Sequence, residues 1–185
     1  MTTLPLTVLH YESPIGRAYL SMLAAHGYKA DKIIQMVPSP GRFTRILPSS
    51  IRLKHAAAQQ HLSAHHWPHV LPRQFPELCR VVMQKIADTH CLKRGVFDEI
   101  RENRPLENYA DTVVRIECAG LKDPGLISLL NENKEQLILF TGGGLVPRTI
   151  LELPGIRLLH IHPGFLPDVR GEDGLLWSML VRGKP

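Results

Sequence analysis

The chain has 185 residues, 44% hydrophobic and 21% charged, which at about 150 residues per domain is one domain with a single sizeable core. No uninterrupted apolar run exceeds four residues (137–140), against about twenty for a membrane helix, and Met1-Thr2-Thr3-Leu4-Pro5 lacks the basic and apolar stretches of a signal peptide. The formal charge is +5 and the isoelectric point about 9.3, yet Lys and Arg are scattered with no block of about five or six. The excess therefore suits an anionic small substrate as well as nucleic acid, and nucleic acid is not the expected partner. Cys79, Cys91 and Cys118 are odd in number and lack C-x-x-C spacing, as expected of reduced thiols in a cytoplasmic protein.

In chain order, residues 4–10 form a short apolar segment between Pro5 and Pro14, predicted to be a buried strand. Ser13 can cap a helix with Pro14 in its first turn, Ile15, Tyr19, Met22 and Leu23 on one face, and Gly27 at its end. Residues 33–37 are the next strand, stopped by Pro38 and Pro40. Residues 39–76, rich in Pro, Ser and His, predict loops with one short helix near 53–62. From Phe75 a helical period returns through Leu78, Val81, Val82, Ile86 and Cys91, with Gly95 beyond. Then follow a strand at 111–117, a helix started by Asp123-Pro124, a strand at 136–141, a short helix at 146–153, a strand at 156–162 and a final helix at 172–181. Alternating strands and helices without repeat or linker predict one α/β domain with a mostly parallel sheet.

In such sheets ligands bind beyond the carboxyl ends of the strands, and two of those ends are unusual. The strand at 136–141 runs into Gly142-Gly143-Gly144, where a backbone or ligand can approach closely; a tight turn into the helix at Pro147 explains the same glycines. Neither G-x-G-x-x-G after the first strand nor a P-loop occurs. The strand at 156–162 carries His160 and His162, two apart and so on one side, ahead of a loop stiffened by Pro163 and Pro167. Paired imidazoles there can hydrogen-bond a developing oxyanion, move a proton or bind a metal. Equally, one can cap the strand while the other packs in the core.

The run Leu159-His160-Ile161-His162-Pro163-Gly164-Phe165-Leu166-Pro167-Asp168-Val169-Arg170-Gly171 resembles the signature of the folate-dependent formyltransferases, Asn-x-His-Pro-Ser-Leu-Leu-Pro-x-x-Arg-Gly. The resemblance is specific from about 137 to 183, architectural from 4 to 37, and absent from 39 to 108. It implies a Rossmann-like formyltransferase domain spanning 1–185, with 10-formyltetrahydrofolate as formyl donor and a small-molecule amine as acceptor. His162 matches the motif histidine that stabilises the tetrahedral oxyanion or assists proton movement, and His160 stands where the family has Asn. Gly142, Gly143, Gly144, Leu145 and Val146, with Phe165 and Leu166, would line the pterin pocket; Arg170 and Gly171 would meet the substrate. The family's later Asp-x-Gly segment does not occur before Pro185, so a chain lacking its C-terminal part is expected. The continuation Gly171-Glu172-Asp173-Gly174 departs from the Gly-Ala-Ala-Pro of the methionyl-tRNA enzymes, leaving a nucleotide sugar or an amino-acid-derived amine as acceptor. Hydrolysis of the formyl-folate and a non-catalytic binding domain are the alternative readings, and a homodimer is left open.

Other residues read more blandly. His61, His65, His66 and His69 have i,i+4 spacings, but Pro68 breaks a shared helix face and no metal is expected. Trp67 and His66 are candidates for acceptor contact. Asp98, Glu99, Glu102 and Glu107 read as a solvated acidic face, and Cys118 as a buried thiol. A salt bridge from Arg170 to Asp168 or Asp173 competes with a substrate role.

Overall fold

A computed structural model describes residues 1–38, 47–64, 73–89, 104–132, 136–161, 169, 178 and 180–183. Five strands form one sheet: β1 (Thr2–Tyr11), β2 (Tyr28–Val37), β3 (Ala110–Glu117), β4 (Gln136–Phe140) and β5 (Ile156–His160). Their order is β3-β2-β1-β4-β5, and every neighbouring pair is parallel. The chain thus builds outward from β1 to β3, then crosses back over β1 to add β4 and β5. The reversal puts a topological switch point between the carboxyl ends of β1 and β4. This is the parallel α/β arrangement that the alternating pattern predicts, and it is Rossmann-like as the resemblance implies.

The helices cover both faces. On one, α1 (Pro14–Ala25) buries Leu20 against Leu6, Val8, Ile33 and Leu139. On the other, α4 (Pro124–Asn131) and α5 (Arg148–Leu151) bury Leu126, Leu130 and Ile150 against Leu9, Ile34, Ile138 and Phe140. Fully burying such side chains is worth about 1.5–3 kcal/mol each, so the two cores hold the carboxyl edge in place. Between β2 and β3 run α2 (Ser49–Ala64) and α3 (Pro76–Thr89), then a single 3-10 turn at Leu106–Asn108. Two aspartates secure local geometry: Asp123 accepts from the Gly125 N–H at 2.9 Å, and Asp111 accepts from Lys29 and Thr3. Those bonds to Lys29 and Thr3 hold the Asp111 carboxyl below its ordinary range.

Several boundaries differ from expectation for identifiable reasons. β1 begins at Thr2 and runs through Pro5, because the register shifts between Leu4 and Thr7; a proline that donates no ladder hydrogen bond is tolerated at such a bulge. β2 starts five residues early, at Tyr28, despite charged Lys29, Asp31 and Lys32. α2 has 16 residues rather than a short helix. The buried face of α1 is Gly16, Arg17, Leu20 and Ser21, and Ile15, expected on the apolar face, is 64% exposed. α3 contains no buried residue, so its apolar stripe of Leu78, Val81, Val82 and Ile86 faces outward. The predicted final helix lies mostly outside the described residues. The Ser13 cap is as expected, its Oγ accepting from the Gly16 N–H at 3.0 Å. Ser13→Ala is expected to cost about 1 kcal/mol, read as a lower urea midpoint at unchanged m-value.

Candidate functional site

The carboxyl edge carries two sites on opposite faces of the sheet, because side chains alternate along each strand. On the α4/α5 face, Tyr11 of β1, Met36 of β2, Cys118 after β3 and Phe140 of β4 surround a cavity of about 800 Å³ that continues along Gly142, Gly143, Gly144 and Leu145. The volume lies in the range of small-molecule and cofactor sites. Two aromatic rings, the Met36 thioether and the half-buried Leu121 make its interior apolar, and the glycine run supplies backbone N–H and C=O groups at its rim. That combination fits a flat heterocycle with hydrogen-bonding edges. Among the described residues no helix is long and apolar enough to cross a membrane.

Each glycine has its own constraint. A Cβ on Gly142 would lie 2.8 Å and 2.9 Å from two carbons of the buried Phe140 ring, whereas a Cβ on Gly143 would meet nothing within 4 Å. Gly144 adopts φ +96°, in the left-handed region that side chains disfavour. Of the five residues assigned here from sequence, four line the cavity, while Val146 packs against the core beneath it.

His160 ends β5 beside Phe140. Its Nδ1 lies 3.1 Å from the Phe140 carbonyl oxygen, and the two rings are 5.4 Å apart. A carbonyl only accepts, so Nδ1 carries the proton, and His160 braces Phe140, a residue of the cavity wall. His162, Phe165, Leu166, Arg170 and Gly171 lie outside the described residues, as do Asp168, Asp173, His65, His66, Trp67, His69, Asp98, Glu99 and Glu102.

Cys118 is buried at the cavity wall, and burial pushes its thiol up from the ordinary range. It is a packed thiol, as expected, because the thiolate needed for attack is disfavoured. Alkylation of Cys118 by iodoacetamide is expected to be slow at neutral pH. Its rate is expected to rise only above the pH of about 8.5 where an ordinary thiol ionises. Peptide mass spectrometry across a pH series reads this, and rapid labelling at neutral pH would contradict it.

On the opposite, α1 face lies a polar arrangement that no motif announces. His10, Gln35 and Arg115 occupy one row across β1, β2 and β3, and the Arg115 Nε–H donates to Gln35 Oε1 at 3.1 Å. His10 and Glu12 are fully buried. The Glu12 carboxylate only accepts, so the His10 Nε2–H, 3.3 Å away, donates to it, while Nδ1 lies 3.3 Å from the Thr141 hydroxyl, which itself donates to the Leu9 carbonyl. Arg17 then closes the carboxylate bidentately, Nε to Oε1 at 2.6 Å and Nη2 to Oε2 at 2.9 Å. Arg17 Nη1 also donates to the Arg104 carbonyl at 2.6 Å. His61 of α2 approaches the same carboxylate at 3.3 Å. His61, half-buried on α2, thus touches the buried Glu12–Arg17 pair. Glu107, expected on a solvated acidic face, sits in the 3-10 turn and accepts from Arg115 Nη2 at 2.7 Å. The clue to this row was a His-x-Glu at a strand's carboxyl end with Arg five residues later. Buried ionisable residues are placed only with partners, but the partners come from distant segments.

Gly16 fits the same packing, since a Cβ there would lie 2.9 Å from His10 Cε1 and 3.0 Å from the Tyr11 carbonyl oxygen. Among the described residues no group of three or more His, Cys, Asp or Glu is arranged to hold a metal.

No protein-family model matches the chain. It is 31% identical over 66 residues to a methionyl-tRNA formyltransferase of Syntrophus aciditrophicus (strain SB), a match covering 35% of this chain and 21% of that protein. The matched stretch is thus about one fifth of the relative's length. The similarity is to a formyltransferase, the same kind of enzyme whose signature the residues around His162 resemble.

Proposed function

We propose that the chain is a folate-dependent formyltransferase domain that binds 10-formyltetrahydrofolate in the apolar cavity and passes its formyl group to the amine of a small metabolite. The observation that carries this reading is the cavity itself. It lies at the switch point of a parallel sheet, is walled by Tyr11 and Phe140, and is edged by the backbone of Gly142, Gly143 and Gly144. The partial similarity to a formyltransferase supports the reaction class. The cationic composition supports an anionic acceptor, with a nucleotide sugar or an amino-acid-derived amine as the proposed classes.

The donor would supply an electrophilic formyl carbon, and transfer requires one proton to leave the attacking amine and one to reach the departing nitrogen. His160, held against the Phe140 carbonyl through Nδ1, is proposed to assist that proton movement, as its place in the motif implies. His162 is the proposed oxyanion donor, the role its motif position implies. Arg170 and Gly171 are proposed to hold the acceptor. Apolar walls keep water away and strengthen each of these interactions.

The imidazole at 160 also favours a second reading. Where the family has Asn, which only positions an oxygen, an imidazole can also move a proton, which suits activation of water for hydrolysis of the formyl-folate. Release of tetrahydrofolate from 10-formyltetrahydrofolate, measured with and without a panel of nucleotide-sugar and amino-acid amines, separates the two. Amine-dependent release with formylated product supports transfer. Amine-independent release with free formate supports hydrolysis. Binding without turnover of either kind overturns both in favour of a non-catalytic domain.

A further inference from the structure

Above the polar row on the α1 face lies a second cavity of about 420 Å³, on the side of the sheet away from the apolar one. Its wall on α2 is one helix face: Lys54, Ala57, Ala58 and His61 stand at i, i+3, i+4 and i+7. Two alanines in the middle of that face leave open the space a longer side chain would fill. Gln35 and Arg115 contribute from the sheet, Arg17 from α1, and Arg104 with Glu107 from beside the 3-10 turn. Four basic residues, Arg17, Lys54, Arg104 and Arg115, thus line it against two carboxylates.

The two carboxylates are already matched. Glu12 is closed by Arg17, and Glu107 by Arg115. Burial raises Glu107, but the hydrogen bond and charge of Arg115 outweigh this and hold it below the ordinary range, so it stays an anion. With both anions matched locally, Lys54, on the exposed side of the trough and with no ion pair among the described residues, adds a positive charge to the cavity. A concave, positively charged site with fixed donors from Arg115 and Gln35 suits an oxyanion group.

We propose that this trough is a binding site for the oxyanion group, phosphate or carboxylate, of a small metabolite, separate from the apolar cavity and independent of whether formyl transfer occurs. Lys54 is the mobile cation that closes on the ligand, and the Ala57–Ala58 gap admits it.

The test is calorimetric titration at low ionic strength of inorganic pyrophosphate and, separately, succinate into the chain. The same titrations are run on Lys54→Glu, Ala58→Leu and Arg148→Glu. Arg148 is exposed on α5 on the other face of the sheet, so its variant makes the same change in net charge away from the trough. Saturable binding of either anion is expected, weakened by about tenfold or more in Lys54→Glu, blocked in Ala58→Leu and retained in Arg148→Glu. Preference for pyrophosphate identifies a phosphorylated ligand, and preference for succinate a carboxylated one. Lys54 and Ala58 are both exposed, so the variants are expected to keep the parent's circular dichroism; should Ala58→Leu not fold, the Lys54 comparison still decides. Absence of saturable binding overturns the proposal, as does equal weakening by Lys54→Glu and Arg148→Glu. Neither readout involves folate, so failure here is distinct from failure of the formyl-transfer reading.

Discussion

Arg17→Met is expected to destabilise the fold by about 3–5 kcal/mol, among the largest losses that a single substitution away from the apolar core can cause. Arg17 and Glu12 are both almost wholly out of water, with side-chain exposures of 6% and 0%, and two short hydrogen bonds join them. Methionine approximates the volume of the arginine stem but leaves a buried carboxylate without its guanidinium. It also releases the Arg104 carbonyl, through which α1 holds the segment leading into the 3-10 turn. Glu12→Gln is expected to be costly for the mirror reason, an uncompensated guanidinium. The double variant is expected to lose less than the sum of the two, because no unpaired charge remains. Urea unfolding of the four proteins gives the cycle, and additive losses would show that the pair is not a unit.

Gly142→Ala is the second large effect and is best read beside Gly143→Ala. The methyl at 142 is forced to within 2.9 Å of Phe140 ring carbons. That ring cannot yield, being 2% exposed and packed among the residues of the α4/α5 core. Overpacking of this kind costs about 1–3 kcal/mol. Displacing Phe140 also moves the cavity wall and the partner of His160, so ligand binding is expected to fall with stability. The methyl at 143 enters open space and is expected to change stability by less than about 0.5 kcal/mol. Thermal unfolding of the pair checks this; equal effects at the two positions would mean that Gly142 does not abut the ring.

What the sequence made legible was governed by local physics. β4 is an apolar run closed by glycines, α4 has Asp123-Pro124 at its start, and α1 has Ser13-Pro14; each is a signal within four residues of its element, and each is where it was expected. The carboxyl-edge position of Gly142, Gly143, Gly144, Leu145 and His160 followed in turn from strand order. The missed features depend on partners far along the chain. Ile15 was assigned to the core face of α1 because it is apolar, but the helix is rotated to bury Arg17, which Glu12 requires and which no periodicity reveals. The strand expected at 33–37 begins at Tyr28, where Lys29 finds Asp111, 82 residues away. The row of His10, Gln35 and Arg115 exists only once β1, β2 and β3 are in register. The helical period of α3 was legible, but its exposed stripe was not, since periodicity shows that a face is apolar and not what it meets.

The central claim is that the cavity edged by the triple glycine holds the formyl donor. Titrating a non-hydrolysable 10-formyltetrahydrofolate analogue into the chain and into Gly143→Leu tests it most directly. Leucine at 143 projects into open cavity without touching the protein's own atoms within 4 Å of its Cβ, so the fold is expected to stand while the site is filled. The account predicts saturable binding at one site per chain, weakened by about tenfold or more in Gly143→Leu with an unchanged unfolding midpoint. No saturable binding by the parent chain, or equal affinity in a folded Gly143→Leu, would contradict it.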